Sequence, residues 1–216
     1  MHIKRNTMPK PWPIPRKGTK FISVPSHATN KGISLLFVLR DILGIAKTRK
    51  EVRYMTLNGL VKVNNKIRKD ENFPLQVFDC INLEKSGKNY MLEIKNRKFI
   101  LKEVSSKEAE TKIVKITGKK IMGKRKTQMN LDDGQNFLVK EKFSVGDSVI
   151  LNTKENKIEK ILQLKEGAKI EIILGKHAGE KGKLMGFEKL IRGRNYIIKL
   201  DDKDVSLPYK TLLVIG

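Results

Sequence analysis

The sequence predicts an α+β protein made of several small domains. At a typical ~100–200 residues per domain, a chain of 216 residues forms one large domain or two to three small ones. Hydrophobic residues make up 39% of the chain and charged residues 32%, which favours small packed cores over a single large one. Helix-length apolar patterns are confined to the stretch after residue 32, and short apolar runs typical of strands follow them to the C terminus.

The charge of the chain predicts a partner that carries dense negative charge. Lysine and arginine together number 46 against 23 aspartates and glutamates, which gives a formal net charge of +23. Residues 1–33 contain seven bases and no acid, and the segment 117–128 contains five bases and no acid. Because the excess is concentrated in these two segments, we expect them to be binding surfaces rather than part of a merely soluble exterior.

The remaining residue types exclude several classes of site. The single cysteine, Cys80, excludes an intrachain disulfide and a cysteine-based zinc site. His2, His27 and His177 are scattered along the chain, so we expect no metal and no cofactor. The longest apolar run, 33–39, is too short to span a bilayer, and no secretory signal is visible. We therefore expect an intracellular, soluble protein that does not bind a membrane.

Residues 1–32 are predicted to form a basic, proline-rich N-terminal arm. Five of the seven prolines fall within it, and their fixed φ and missing N–H donors make the arm extended and non-helical. Trp12 lies among these prolines, where it can either stack on nucleic acid or anchor the arm to its own domain. We expect the arm to follow phosphates, the alternative being a disordered leader. Its candidate RNA-binding residues are Lys4, Arg5, Lys10, Trp12, Arg16 and Lys17.

Residues 33–85 are predicted to form two helices followed by a β-hairpin. The first helix covers 33–43 and ends at Gly44. Thr48 and Glu51 fit a capping box that begins the second helix. Alternating residues then predict a strand, a tight turn and a final strand. This order resembles the S-four-type (α-L) RNA-binding domain. The matching residues are Thr48, Arg49, Gly59, Val61, Val63, Asn64 and Asn65.

Basic residues of this domain are predicted to contact RNA from the second helix and from both sides of the hairpin. The positive end of the helix dipole favours phosphate at the start of that helix. The alternative is a basic face that is only solvated, and we prefer RNA contact because the fold pattern and the charge agree. The candidate residues are Arg49, Lys50, Arg53, Lys62, Lys66 and Arg68.

Residues 86–164 are predicted to form a small central β domain with a basic loop at 117–128. The segment from Gly118 to Arg125 approaches the phosphate-loop pattern of nucleotidases. However, Arg125 stands where a serine or threonine should hold magnesium, so we do not predict nucleotide binding. We expect a flexible hairpin that reaches into RNA. Its candidate residues are Lys119, Lys120, Lys124, Arg125 and Lys126.

Residues 165–216 resemble the KOW motif and predict a five-stranded, SH3-like β-barrel. Two alternating strands flank a glycine-rich loop, and Gly182 matches the glycine that allows a sharp backbone turn. Basic side chains are expected to surround the barrel in its loops, where His177 either contacts phosphate or fills a turn. The candidate residues are Lys176, His177, Lys181, Arg192 and Arg194.

The order of these modules resembles the archaeal and eukaryotic small-subunit ribosomal protein family S-four-e. The more specific matches are His2–Arg5, Pro9–Trp12, Leu36–Arg40 and Leu213–Gly216. An end at Gly216, without a basic tail, favours an archaeal-type member. The resemblance implies a cytoplasmic, non-enzymatic scaffold of the small subunit. It also implies binding to ribosomal RNA and neighbouring ribosomal proteins, with no cofactor and no homo-oligomer.

Two other functions share some of these modules. An RNA-modifying enzyme such as a pseudouridine synthase can carry an α-L domain, but residues 86–164 do not offer the catalytic domain that it needs. An assembly or transcription-elongation factor can carry a KOW barrel, but that function would not explain the acid-free arm. A structural ribosomal protein is therefore the function that the sequence favours.

Overall fold

The computed structural model describes residues 2–122, 126–190, 193–200 and 203–216. The protein is mostly β-structure with few helices, and it divides into two compact units, residues 1–112 and 113–216. Within the described ranges, every helix is too short or too polar to cross a membrane. The same part of the chain contains no group of three or more His, Cys, Asp or Glu side chains able to hold a metal ion.

The first unit contains short strands around two helical segments. Helix α1 (Leu35–Phe37) continues as a π-helical turn (Val38–Ile42), and helix α2 covers Arg49–Leu57. Short 3₁₀ turns cover Arg5–Thr7 and Glu108–Glu110. The strands are β1 (His2–Lys4), β2 (Phe21–Ser23), β3 (Ile33–Ser34), β4 (Val61–Val63), β5 (Lys66–Ile67), β6 (Pro74–Leu75), β7 (Cys80–Leu83), β8 (Lys88–Lys95) and β9 (Lys98–Val104).

The N-terminal arm is folded onto the first unit and is not a disordered leader. Its strands β1 and β2 pair antiparallel. The Trp12 side chain is 1% exposed, lies 5.8 Å from the Phe37 ring, and donates its indole N–H to the Gly32 carbonyl at 3.0 Å. Of the two roles that the sequence leaves open for Trp12, stacking on RNA would require this buried ring to leave its site. Its contacts are those of the alternative role, an anchor for the arm.

The helices of the first unit follow the predicted caps closely. The first helix begins at Leu35 rather than Ile33, because Ile33 and Ser34 pair with β6 as strand β3. The Glu51 N–H donates to Thr48 Oγ1 at 3.3 Å, and the Glu51 carboxylate accepts the Lys47 N–H at 2.8 Å. This second hydrogen bond, from the Lys47 backbone, is the main reason that the pKa of Glu51 is lowered.

The sheet of the first unit extends beyond the expected domain boundary. Its strand order is β5-β4-β7-β8-β9, so β8 and β9 continue the sheet that the hairpin begins. The turn of that hairpin is tight, with positive φ at both Asn64 and Asn65. A boundary at 85/86 would separate the antiparallel neighbours β7 and β8. The sheet is continuous across this point, which sequence alone does not reveal, because a polar hairpin turn and a polar linker look alike in sequence.

The second unit begins with a five-stranded antiparallel sheet in the order β12-β11-β10-β13-β14. Val114, Ile116, Met129 and Val149 are buried in its core. The pairing of β10 with β11 continues from Ile116 to the end of β10. Its strands are β10 (Thr111–Ile121), β11 (Thr127–Leu131), β12 (Asn136–Val139), β13 (Ser148–Asn152) and β14 (Lys157–Leu162).

A second five-stranded antiparallel sheet completes this unit in the order β18-β17-β16-β15-β19. Gly182 lies within β16, where an added Cβ would sit 2.5 Å from the Lys199 carbonyl oxygen. The glycine is therefore required for close strand approach and not, as expected, for a sharp turn. The strands are β15 (Lys169–Ile172), β16 (Lys181–Leu190), β17 (Gly193–Lys199), β18 (Asp204–Pro208) and β19 (Leu212–Val214).

Buried polar contacts join the two sheets of the second unit. Lys115 on β10 is 5% exposed, and its ammonium donates to the carbonyl oxygens of Leu212, at 2.8 Å, and Tyr209. Ser148 Oγ on β13 accepts the Val214 N–H at 3.0 Å. Because the groups are buried and paired, these bonds fix β19 against the first sheet.

Candidate nucleic-acid interface

Helix α2 presents two uncompensated cations on its exposed face. Lys50 and Arg53 are three residues apart and thus neighbours on the helix surface, and both are exposed. Within the described part of the chain, neither forms an ion pair. They lie in the first turns of the helix that Thr48 caps, where the helix dipole also favours an anion. This face of α2 can therefore bind phosphate without first releasing an internal partner.

Arg49, at the first position of the same helix, is held by an internal carboxylate. Its Nε donates to Glu71 Oε1 at 2.8 Å, and the Arg49 side chain remains 61% exposed. The hydrogen bond to Glu71, followed by the attraction between the two charges, raises the pKa of Arg49. Arg49 is thus a fixed, partly neutralised cation rather than a free one.

The three basic residues predicted around the hairpin have different environments. Lys62 forms an ion pair with Glu84. Arg68 is half-buried, with its guanidinium 4.4 Å from the centre of the Phe73 ring. Its buried Nε has no hydrogen-bond partner among the residues that the structure describes. Lys66 is exposed on β5, and it has no ion pair among the described residues. Of these three, Lys66 is the cation that RNA can reach without competition.

The basic residues of the N-terminal arm also divide into exposed cations and a cation that is held by internal hydrogen bonds. Lys4, Lys10, Arg16 and Lys17 are exposed. Arg5 instead points along the arm, donating from Nε to the Thr19 carbonyl at 2.7 Å and from a terminal nitrogen to the Pro15 carbonyl. Arg5 therefore closes the loop of the arm, and its candidate role in RNA binding conflicts with these hydrogen bonds.

The predicted basic loop is a strand-paired hairpin as far as the structure describes it. Lys120 lies opposite Gln128 in the β10–β11 ladder, so this part of the expected flexible loop is ordered. Lys120 and Lys126 are exposed, whereas the Lys119 ammonium donates to the Phe143 carbonyl at 3.0 Å. The predicted site residues Lys124 and Arg125 lie outside the described residues.

In the last sheet, most of the predicted cations also have internal partners. His177 Nδ1 lies 3.0 Å from Glu180 Oε2, so the histidine fills its turn with a local partner. Lys181 lies 3.5 Å from the buried carboxylate of Glu171. Arg194 stacks over the Phe187 ring at 5.3 Å. Lys176 is exposed with no ion pair in the described ranges, and Arg192 lies outside them.

The strand register also aligns lysines that the sequence patterns did not single out. Lys183 lies opposite Lys169 on one side and Lys199 on the other. All three are exposed. Fourteen and sixteen residues separate them in sequence, so no local motif reveals the row. Pairing of the predicted strands in the correct register is the signal that would have found it.

Two family models match the chain. Residues 35–81 match the S4 domain, and residues 86–158 match the Ribosomal family S4e. The Small ribosomal subunit protein eS4 of Methanosphaera stadtmanae is 37% identical over 187 residues, covering 85% of this chain and 78% of the relative. The protein of the same name from Archaeoglobus fulgidus is 33% identical over 222 residues, covering 100% and 93%.

A solved structure shares the fold. The crystal structure of the 30S ribosomal protein S4e from Thermoplasma acidophilum is similar with a TM-score of 0.74 and 25% sequence identity. The match covers 86% of this chain and 95% of that chain. Sequence and structure comparisons therefore agree over most of the chain.

Proposed function

The chain belongs to the Ribosomal family S4e and is a structural constituent of the small ribosomal subunit, and we propose that it holds ribosomal RNA through exposed, uncompensated cations. The observation that carries this mechanism is the free basic face of α2, formed by Lys50 and Arg53, within the matched S4 domain. Lysine and arginine release condensed counterions when they neutralise phosphates, so the affinity falls steeply with salt.

The binding residues that we retain are those that are exposed and have no internal partner in the described ranges. Cations engaged with Glu71, Glu84, Glu171 or backbone carbonyls would have to exchange those contacts for phosphate, so we assign them a positioning role. The retained residues are Lys4, Lys10, Arg16, Lys17, Lys50, Arg53, Lys66, Lys120, Lys126 and Lys176.

The finer domain assignment is part of the same proposal. We infer that an arm (1–32), an α-L domain (33–85, with β8 and β9 extending its sheet), a central β domain and a KOW barrel (165–216) share the RNA contacts. For the KOW barrel, the support is the five antiparallel strands around a core that includes Ile170, Leu184 and Ile198. Each module would meet RNA by shape and charge rather than by reading its bases.

Membership in a family of ribosomal structural proteins supports a non-enzymatic role. The partners that we propose are small-subunit ribosomal RNA and neighbouring ribosomal proteins, with one copy of the chain in each cytoplasmic subunit. The alternative is a factor that visits the subunit during assembly, RNA modification or transcription.

Sedimentation of small subunits distinguishes a constituent from a visiting factor. Subunits are washed at high salt, separated on a gradient, and probed for the protein. A constituent co-migrates with the subunit after the wash, because its many phosphate contacts and folded modules are embedded in RNA. Release of the protein to the top of the gradient at moderate salt would instead identify a transient factor.

A further inference from the structure

Three exposed lysines stand side by side across three strands of the last sheet. Lys169 on β15 lies opposite Lys183 on β16, and Lys183 lies opposite Lys199 on β17. Residues directly opposite in antiparallel strands have Cβ atoms about 4.5–5.5 Å apart. We call Lys169, Lys183 and Lys199 the lysine row. The central member, Lys183, is therefore flanked by like charges on both sides.

Among the described residues, no carboxylate forms an ion pair with the lysine row. The neighbouring position of the same two strands shows the usual arrangement, with Lys181 opposite Glu171 and the two side chains 3.5 Å apart. Asp204 lies opposite Lys199 at the far end of the row, yet no ion pair joins them within 4.0 Å. In the part of the chain that the structure describes, no member of the row forms an ion pair.

Like charges directly opposite each other destabilise a sheet. A local arrangement that costs stability without an internal gain is expected at functional sites. The row crosses three adjacent strands, so its outer members are about 10 Å apart. A nucleic-acid backbone carries its charges at a closer spacing, so several phosphates can face the row at once.

We propose that Lys169, Lys183 and Lys199 form a phosphate-binding row that receives the backbone of ribosomal RNA, which rests on the RNA-binding function proposed above. The row recognises phosphate charge and not base identity, because lysine ammonium groups on a flat sheet offer no base-specific geometry. Bound phosphate removes the repulsion that the three lysines experience in the free protein. The row is therefore a cost to the free protein and a gain in the complex.

Substitution of Lys183 tests separately the destabilisation of the free protein and the gain in RNA affinity. In the full-length protein, Lys183→Gln should raise the midpoint of denaturant unfolding at low salt, and the gain should shrink as salt screens the repulsion. The same variant should bind small-subunit ribosomal RNA more weakly in filter binding. A plot of the logarithm of the RNA association constant against the logarithm of the salt concentration has a negative slope. The magnitude of this slope should decrease by about one unit, because one phosphate contact is lost.

Lys160→Gln is the matched control. Lys160 is also an exposed strand lysine of the second unit, but Ile150 lies opposite it in place of another charge. Removing the charge of Lys160 should not stabilise the free protein. It should also change RNA affinity less than Lys183→Gln does. Both variants keep a side chain of similar length, so loss of packing does not confuse the comparison.

Each possible outcome either supports or overturns the proposal. Greater stability together with weaker RNA binding supports it. A variant that matches Lys160→Gln in affinity and salt slope overturns the row, and so does the absence of any gain in stability at low salt. If the protein binds poly-glutamate through the row, and Lys183→Gln leaves RNA affinity unchanged, the row binds an acidic protein segment. That result also overturns the proposal. Failure of the unsubstituted protein to bind RNA would overturn the function itself.

Discussion

Lys112 and Asp79 form an ion pair inside the first unit, with 2.7 Å between Lys112 Nζ and Asp79 Oδ1 and about 5% of either side chain exposed. The same carboxylate accepts the Asn64 side-chain amide and the Gln76 N–H, each at 2.7 Å. Asp79 thereby connects the hairpin turn, the loop before β7 and the start of β10. A charge this deep is stable only because each oxygen has partners.

Removing one member of this pair should strongly destabilise the first unit. Lys112→Met leaves the buried Asp79 carboxylate without its counter-charge, and we expect a loss of about 3–5 kcal/mol in the free energy of unfolding. Denaturant unfolding followed by circular dichroism measures it. The exposed pair of Lys157 and Glu155 provides the control, because Lys157→Met should cost less than about 1 kcal/mol. Equal effects of the two substitutions would contradict the structural role of the buried pair.

The Trp12 anchor should be important for stability. Trp12→Ala empties a buried site and is expected to cost about 3–5 kcal/mol of unfolding free energy. Trp12→Phe retains a ring but leaves the Gly32 carbonyl without its donor, which should cost about 1–3 kcal/mol. Lys10→Ala, at an exposed position of the arm, should leave the midpoint unchanged. If Trp12→Ala were as stable as Lys10→Ala, the arm would not be anchored by this side chain.

Free and paired cations of the first unit should contribute differently to RNA affinity. Replacing both Lys50 and Arg53 with glutamine should reduce the salt slope of RNA binding by about two units, one for each phosphate contact. Lys62→Gln removes a cation that is paired with Glu84, and the slope should change by less than one unit. Filter binding over a range of salt concentrations measures both. Indistinguishable slopes for the double variant and the unsubstituted protein would remove α2 from the interface.

The capping contact of Glu51 should make α2 sensitive to acid. The pKa of Glu51 is lowered in the folded state, chiefly by the hydrogen bond from the Lys47 N–H. The ionised Glu51 therefore stabilises the folded protein above the ordinary pKa of 4.5, and this contribution is lost as pH falls through the lower folded pKa. Glu51→Gln should therefore be less stable than the unsubstituted protein near neutral pH, and the difference should vanish in acid. Unfolding midpoints measured from about pH 6 to about pH 3 test this. A difference that stays constant across this range would contradict it.

Cys80 should be unreactive in the folded protein. Burial, followed by the nearby Asp79 charge, raises the pKa of its thiol to about 12, so the thiolate needed for reaction is scarce. A thiol reagent at about pH 8 should label the unfolded protein quickly and the native protein only as fast as it opens. Because the pKa of the Cys80 thiol is higher in the folded than in the unfolded protein, folding favours the protonated thiol. The contribution of Cys80 to the free energy of unfolding is therefore full below the pKa that the thiol has in the unfolded chain, and it decreases as pH rises toward the folded pKa. Rapid native labelling would contradict the burial.

Short-range features of the fold were predictable from sequence. The Thr48 cap, the Asn64–Asn65 turn and the alternating strands of the last sheet are local patterns, and the structure contains each of them. Other strands have a weaker local pattern, as β11 shows. In β11, the buried Met129 and Leu131 alternate with polar residues, and one of these, Asn130, has low strand propensity. Pairing with β10 and β12 compensates for that weakness.

The site was predictable only in part, because charge alone does not show which cations are free. Lys50, Lys66 and Lys120 are exposed as expected, whereas Arg49 and Lys62 have carboxylate partners and Trp12 is buried. Their partners lie 20 or more residues away, beyond the reach of any local motif. The lysine row was missed for the same reason.

The sequence by itself determined the excess of positive charge, the helix caps, the turn residues and the family, since these depend on composition and on neighbours along the chain. Only the tertiary structure decided the strand register, the extension of the first sheet by β8 and β9, and the division of lysines and arginines into free and paired groups. Those properties depend on which distant residues meet across strands. A like-charge row such as Lys169, Lys183 and Lys199 exists only after three strands have paired.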